Sequence, residues 1–129
     1  MKKLILLFVL SAISSMAQSQ PKADPWNGVC YAIKDYIKEN ANDPRSIKYV
    51  ECSNIAKFSN GNYGQRVKYR GKNAFGALIL NENYFIMSGN GFNVKVEGMF
   101  DMETMRLAFN TGKIEIVAMY NTEGKLIDN

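Results

Sequence analysis

The chain contains no histidine. That absence excludes Ser-His-Asp and Cys-His nucleophilic machinery and leaves no imidazole to hold a metal. Cysteine is scarce as well. Cys30 and Cys52 are the only two, and once bridged to one another they cannot make a zinc site. No glycine-rich phosphate loop is present, because Gly89-Asn90-Gly91 is not followed by a phosphate-loop helix and reads as a hairpin turn. Internal repeats, low-complexity tracts and domain linkers are also lacking. With 129 residues, the chain has room for one domain, and no cofactor or metal is expected.

Long apolar runs are missing too. The main candidate lies in MKKLILLFVLSAISSMA, where Leu4 to Val9 is far short of the roughly 20 residues that cross a bilayer. Lys2 and Lys3 precede this run. Small residues follow it, with Ser15 and Ala17 placed for a cut before Gln18. This is the grammar of a secretory signal. The expected organisation is a signal peptide over residues 1–17, a loose leader over 18–23 and a single domain over 24–129. The expected destination is the periplasm or the medium. Cys30 lies far beyond the cut, which argues against a lipid anchor, and the mature chain carries no transmembrane segment.

Charge gives little direction. Sixteen cations against twelve anions give +4. Without Lys2 and Lys3, fourteen against twelve give +2. That small excess, together with export, argues against nucleic acid as a partner. Export also implies an oxidising compartment, so Cys30 and Cys52 are expected to pair. Closing that short loop contributes about 3 kcal/mol on a chain-entropy argument.

Asp24-Pro25 offers a helix cap and a first-turn proline, and Trp26, Cys30, Ile33 and Ile37 then recur at helical spacing. An amphipathic helix is therefore expected from Asp24 to about Asn40. Residues 47–58 and 63–70 alternate as strands around the turn Ser59-Asn60-Gly61-Asn62. In the second strand Tyr63, Gln65, Val67 and Tyr69 point one way, and Gly64, Arg66, Lys68 and Arg70 the other. Pairing Phe58 with Tyr63 sets Cys52 beside Tyr69 on the apolar face and Glu51 beside Arg70 on the outer face.

Gly71 to Ala74 then reads as a corner, with Gly71 at positive φ, and Phe75 starts a core strand. Residues 75–80 and 84–88 read as a second hairpin across Asn81-Glu82-Asn83. Ser88 to Gly91 form another turn before a strand from Phe92. Asp101 caps a short helix whose Met102, Met105 and Phe109 share a face, and Lys113 to Tyr120 form a last strand. The fold class expected is α+β, with an N-terminal amphipathic helix packed on a mostly antiparallel sheet of about five or six strands. A short second helix precedes the last strand.

Few groups are left for chemistry. Asp101 with Glu103, and Asp35 with Glu39, are the nearest paired carboxylates, and their spacing suits a solvated helix face. The row Arg66, Lys68 and Arg70, continued by Lys72, is the candidate surface for an anionic ligand or an acidic partner.

The motifs Asp43-Pro44-Arg45-Ser46 and Tyr69-Arg70-Gly71-Lys72-Asn73-Ala74-Phe75-Gly76 carry a resemblance. Residues 29–97 resemble a group of small exported bacterial domains of unknown function. That group shows a DP-x-S turn followed by a YR-x-KN-x-FG strand corner. The resemblance implies a fold module and an export route, and it supplies no catalytic residue. The function expected is a small exported, non-enzymatic binding or accessory protein that meets another envelope or secreted protein, or an anionic ligand. An inhibitor or immunity-type protein that binds a protease or toxin is the alternative. A weak hydrolase or lyase using Tyr69, Lys72 and a carboxylate is a third reading.

Overall fold

Residues 20–127 are described by the computed structural model, so the leader expected over residues 1–17 lies outside the described residues. The order is α1 (Tyr31–Asn40), a 3-10 turn (Pro44–Ser46), β1 (Lys48–Cys52), β2 (Ile55–Phe58) and β3 (Tyr63–Lys72). It continues with β4 (Leu78–Asn90), β5 (Asn93–Phe100), α2 (Met102–Asn110) and β6 (Ile116–Tyr120). The fold is α+β, and the strand pairs of its six-stranded sheet are antiparallel. Along the sheet the order is β5-β4-β3-β2-β6, and β1 lies end to end with β2 on the same edge of β3.

The first helix starts later than its apolar spacing suggests. Asp24 Oδ1 accepts the N–H of Trp26, and Asn27 Oδ1 accepts that of Val29. Such side-chain caps draw the backbone into tight turns in place of helix. Gly28 sits at φ +79°, a left-handed conformation open chiefly to glycine. The helix therefore begins at Tyr31, and Trp26 is 94% exposed rather than part of the buried stripe. Ile33 and Ile37, one turn apart, are the residues α1 buries. Residues 20–23 fall within the segment expected to be a loose leader. Even so, Gln20 is buried and donates to the Gly124 carbonyl, and Ala23 bridges Cys30.

Two cores form, one on each face of the sheet. Beneath α1 lie Ile55, Tyr63, Val67, Tyr69, Phe85 and Met87. On the other face Ala56, Phe58 and Tyr84 pack with Met105 of α2, joined by Met102 and Phe109. Asp101 caps α2, its side chain accepting the N–H of Thr104 at 2.7 Å. Gly64 allows this second core to close, because a Cβ there would lie 2.4 Å from the Tyr84 ring and 2.6 Å from that of Phe58.

Register differs from the expected pairing. Lys57, not Phe58, lies opposite Tyr63, and Ala56 lies opposite Gly64. Phe58 thus turns to the α2 face. Irregularity between Tyr49 and Glu51 shifts the pairing further, setting Cys52 opposite Val67 and Glu51 opposite Lys68. Cys52 still lies on the face that α1 covers, where it packs against that core.

The second expected hairpin is absent. Residues 81–83 lie inside β4, a single strand of 13 residues. The reversal falls instead at residues 73–77, after β3 has continued through Lys72. Gly71 does not take a positive φ; it pairs with Ile79, and a Cβ on it would meet Ile47 Cδ1 at 2.7 Å. Gly76, at φ +82°, makes the turn.

Candidate functional site

The end of the β3–β4 hairpin is an arm that extends past the cores. Its outer face is set by register. Lys48, Arg70 and Leu80 lie side by side across β1, β3 and β4, with Lys72 beside Leu78 and Lys68 beside Glu82. The core under α2 takes up this face only as far as Tyr84. Beyond it, Leu78 and Leu80 are about half exposed, and Arg70, Lys72 and Lys48 are exposed. These leucines stay open because the core under α2 does not reach them.

The four residues of the expected cationic row divide into two kinds. Arg66 donates to Glu51 Oε1 and to Glu82 Oε2, each at 3.0 Å. That pair of carboxylates neutralises its charge, so Arg66 drops out of the candidate surface. Glu51 was expected beside Arg70, and the shifted register brings it to Arg66 instead. Lys68, Arg70 and Lys72 form no ion pair among the described residues. Tertiary structure adds Lys48 and Arg45 to them. A shallow depression beside the arm is lined by Arg45, Lys48, Lys72, Ser46, Leu78 and Asp43.

This depression exists because the two sequence motifs meet. In the Asp43-Pro44-Arg45-Ser46 turn, Asp43 Oδ1 accepts the N–H of Arg45, and Ser46 Oγ donates to the Asp43 carbonyl. Ser46 Oγ also accepts the N–H of Lys72 at 2.9 Å, and Ile47 lies over Gly71. The turn is thereby fastened to the end of β3, next to the arm's tip.

The arm's tip is built by Asn73. Its Oδ1 accepts the N–H groups of Phe75 and Ala77 at 2.9 and 3.0 Å, its own N–H donates to the Ala77 carbonyl, and its carbonyl accepts from Gly76. These bonds fix a closed turn from which Phe75 projects, 95% exposed. Phe75 was expected to open a core strand. The outer edge of β4 from Leu78 to Asn83 is also open, since pairing with β5 starts only at Tyr84 and Phe100.

On the opposite face a cleft of about 310 Å³ lies between the end of α1 and the arm, with Tyr36, Asn40, Tyr69, Lys72, Asn73 and Asn81 among its lining residues. Tyr69 and Lys72 are both among its lining residues. The carboxylate that a hydrolase or lyase would need is not among the residues lining this cleft.

Cys30 and Cys52 are both free thiols, and the bridge expected between them is not formed in this structure. Cys52 Sγ donates to the Asn27 carbonyl at 3.3 Å. Burial, with a smaller contribution from Cys52, pushes the Cys30 thiol up to about 12. Burial also raises Cys52, while the Arg66 guanidinium offsets part of that rise.

Among the described residues no group of three or more acidic or cysteine side chains is placed to hold a metal ion. No helix among them is long and apolar enough to cross a membrane. Comparison with known proteins finds no match, whether to a family model, a curated protein or a solved structure.

Proposed function

We propose that this chain is a small exported binding protein without catalytic activity, and that it meets an anionic partner through the outer face of the β3–β4 arm. One observation carries this reading. Lys48, Lys68, Arg70 and Lys72 come together on one uncovered face without carboxylate partners among the described residues, although Glu51 and Glu82 stand nearby and are spent on Arg66. Unneutralised cations held at fixed positions on a sheet favour charge-assisted contacts with carboxylate or phosphate oxygens. Signal grammar in residues 1–17 supports export, and the resemblance of residues 29–97 to small exported domains agrees with it. Export in turn favours pairing of Cys30 with Cys52 after folding.

The test is capture from envelope extract or culture medium, with the wild-type chain and a Lys68→Glu/Arg70→Glu/Lys72→Glu variant as baits. The expected result is a partner held by the wild type, released by salt and not held by the variant. Equal capture by both baits, with equal thermal stability, would make the cationic face ordinary surface.

A further inference from the structure

We infer that the anionic partner of the arm is the surface of a phospholipid bilayer, with Phe75 entering the membrane and the cations behind it resting among the headgroups. This inference rests on the cationic-face reading above and names its ligand.

The tip has the chemistry that shallow insertion requires. Phe75 is 95% exposed and projects from a convex turn, with Leu78, Ile79 and Leu80 exposed just behind it. A protein partner would need a pocket shaped to this projection, whereas a bilayer yields to it. Backbone N–H groups that enter an apolar medium without partners cost several kcal/mol each. At this tip the N–H groups of Asn73, Phe75, Gly76 and Ala77 are already bonded within the turn. With four of the five N–H groups of residues 73–77 satisfied inside the turn, all but that of Ala74, its exposed aromatic can be buried at reduced polar cost.

The cations stand at the right depth. Lys72 and Arg70 follow the tip along β3, within roughly 15 Å of it at strand spacing. Lys48 lies beside Arg70. The headgroup layer is roughly 5–8 Å thick on each side of a bilayer, and long cationic side chains extend their charged ends into it while their stems lie on apolar surface. The depression lined by Arg45, Lys48 and Lys72 has a phosphate-binding character. Its one carboxylate, Asp43, accepts the Arg45 N–H, and Leu78 gives its wall an apolar side chain. Depth is limited by the open edge of β4 at Leu78 to Asn83. Unpaired edge groups are not tolerated in hydrocarbon, so that edge stays at the wet headgroup level and only the tip enters.

The test uses the full chain, with residues 1–19 identical in every variant, and vesicles of phosphatidylcholine with or without phosphatidylglycerol. The wild type is expected to sediment with the anionic vesicles and to be released as salt rises from about 0.1 M to about 0.5 M. Each cation neutralised among Lys48, Arg70 and Lys72 should weaken binding by about fivefold. Phe75→Ser should weaken it by tenfold or more at unchanged thermal stability. A Trp26→Phe/Phe75→Trp chain reports the tip alone, and its emission should shift to the blue with anionic vesicles only. Sedimentation without that shift would overturn the inference, because the contact would then lie elsewhere in the chain. Equal binding to neutral and anionic vesicles would overturn it as well. If vesicles fail but the wild-type bait still captures a partner that the charge-reversed bait loses, the lipid is wrong and the cationic face stands. Failure of both experiments removes both.

Discussion

Gln65 Oε1 accepts the backbone N–H of Cys30 at 3.0 Å, from a side chain that is fully buried. Its Nε2 donates to the carbonyls of Gly28 and Ser53 at 2.8 and 3.0 Å. One amide thus ties the approach to α1 and the break between β1 and β2 to the middle of β3. Gln65→Leu keeps much of the volume and strands two buried backbone groups and a part-buried one. The expected loss is roughly 3 kcal/mol or more, read as a lower urea midpoint at unchanged slope.

The Tyr49 hydroxyl is buried without a partner among the described residues, while Lys34 Nζ lies 5.5 Å from its ring centroid. Tyr49→Phe removes the stranded group and leaves the ring. The variant should be as stable as the wild type or gain up to about 1 kcal/mol. A loss above about 1 kcal/mol in thermal unfolding would show that this hydroxyl has a bonding partner.

Asn73 holds the tip through bonds to Phe75 and Ala77. Asn73→Ala should leave global stability nearly unchanged, since the arm lies outside both cores. Hydrogen exchange at the Phe75 and Ala77 amides should accelerate by tenfold or more as the turn opens locally. Unchanged exchange would mean that Gly76 and the strand ends suffice to close the turn.

Asp24 accepts from Lys34 Nζ and from the Trp26 N–H, and these bonds hold its carboxyl below the ordinary 3.8. A carboxyl depressed in the folded state stabilises above its unfolded pKa and loses that contribution as pH falls through the folded one. The wild type should therefore lose stability below about pH 3.8. Asp24→Asn should flatten that limb, as followed by urea midpoints across the acid range.

Cys30 and Cys52 should oxidise slowly at neutral pH, because burial raises both thiols and holds Cys30 at about 12. Only the thiolate attacks, and Cys52, the less buried of the two, is the better placed to supply it. Bridge formation in a glutathione buffer should quicken about tenfold per pH unit between pH 7 and 9. Thiol titration and mass spectrometry measure it, and a flat rate across that range would contradict the assignment.

How much of this was legible in the sequence depends on the range of the interaction. The alternation of Tyr63, Gln65, Val67 and Tyr69 against Gly64, Arg66, Lys68 and Arg70 is visible because each strand residue points opposite to the last. It put the cations on one face, as the structure does. The Asp101 cap and the Met102, Met105 and Phe109 stripe are also local. Gly71 to Ala74 was legible as a corner, though its positive φ falls at Gly76 rather than Gly71, and Asn81-Glu82-Asn83 looked an equally good turn. The choice between them fell to β3, whose ten-residue pairing with β4 carries the ladder straight through residues 81–83.

Composition and local pattern by themselves determined the α+β class, the antiparallel pairing, the four-residue turn after Phe58 and the sidedness of the cations. These depend on side-chain period and turn chemistry within a few residues. Tertiary structure alone decided the register of β1 and β2, the neutralisation of Arg66, the joining of Lys48 and Arg45 to the row, and the exposure of Phe75, Leu78 and Leu80. Burial is not a property of a residue. It depends on what packs over it, and the core under α2 ends at Tyr84, leaving an apolar, cationic arm uncovered beyond it.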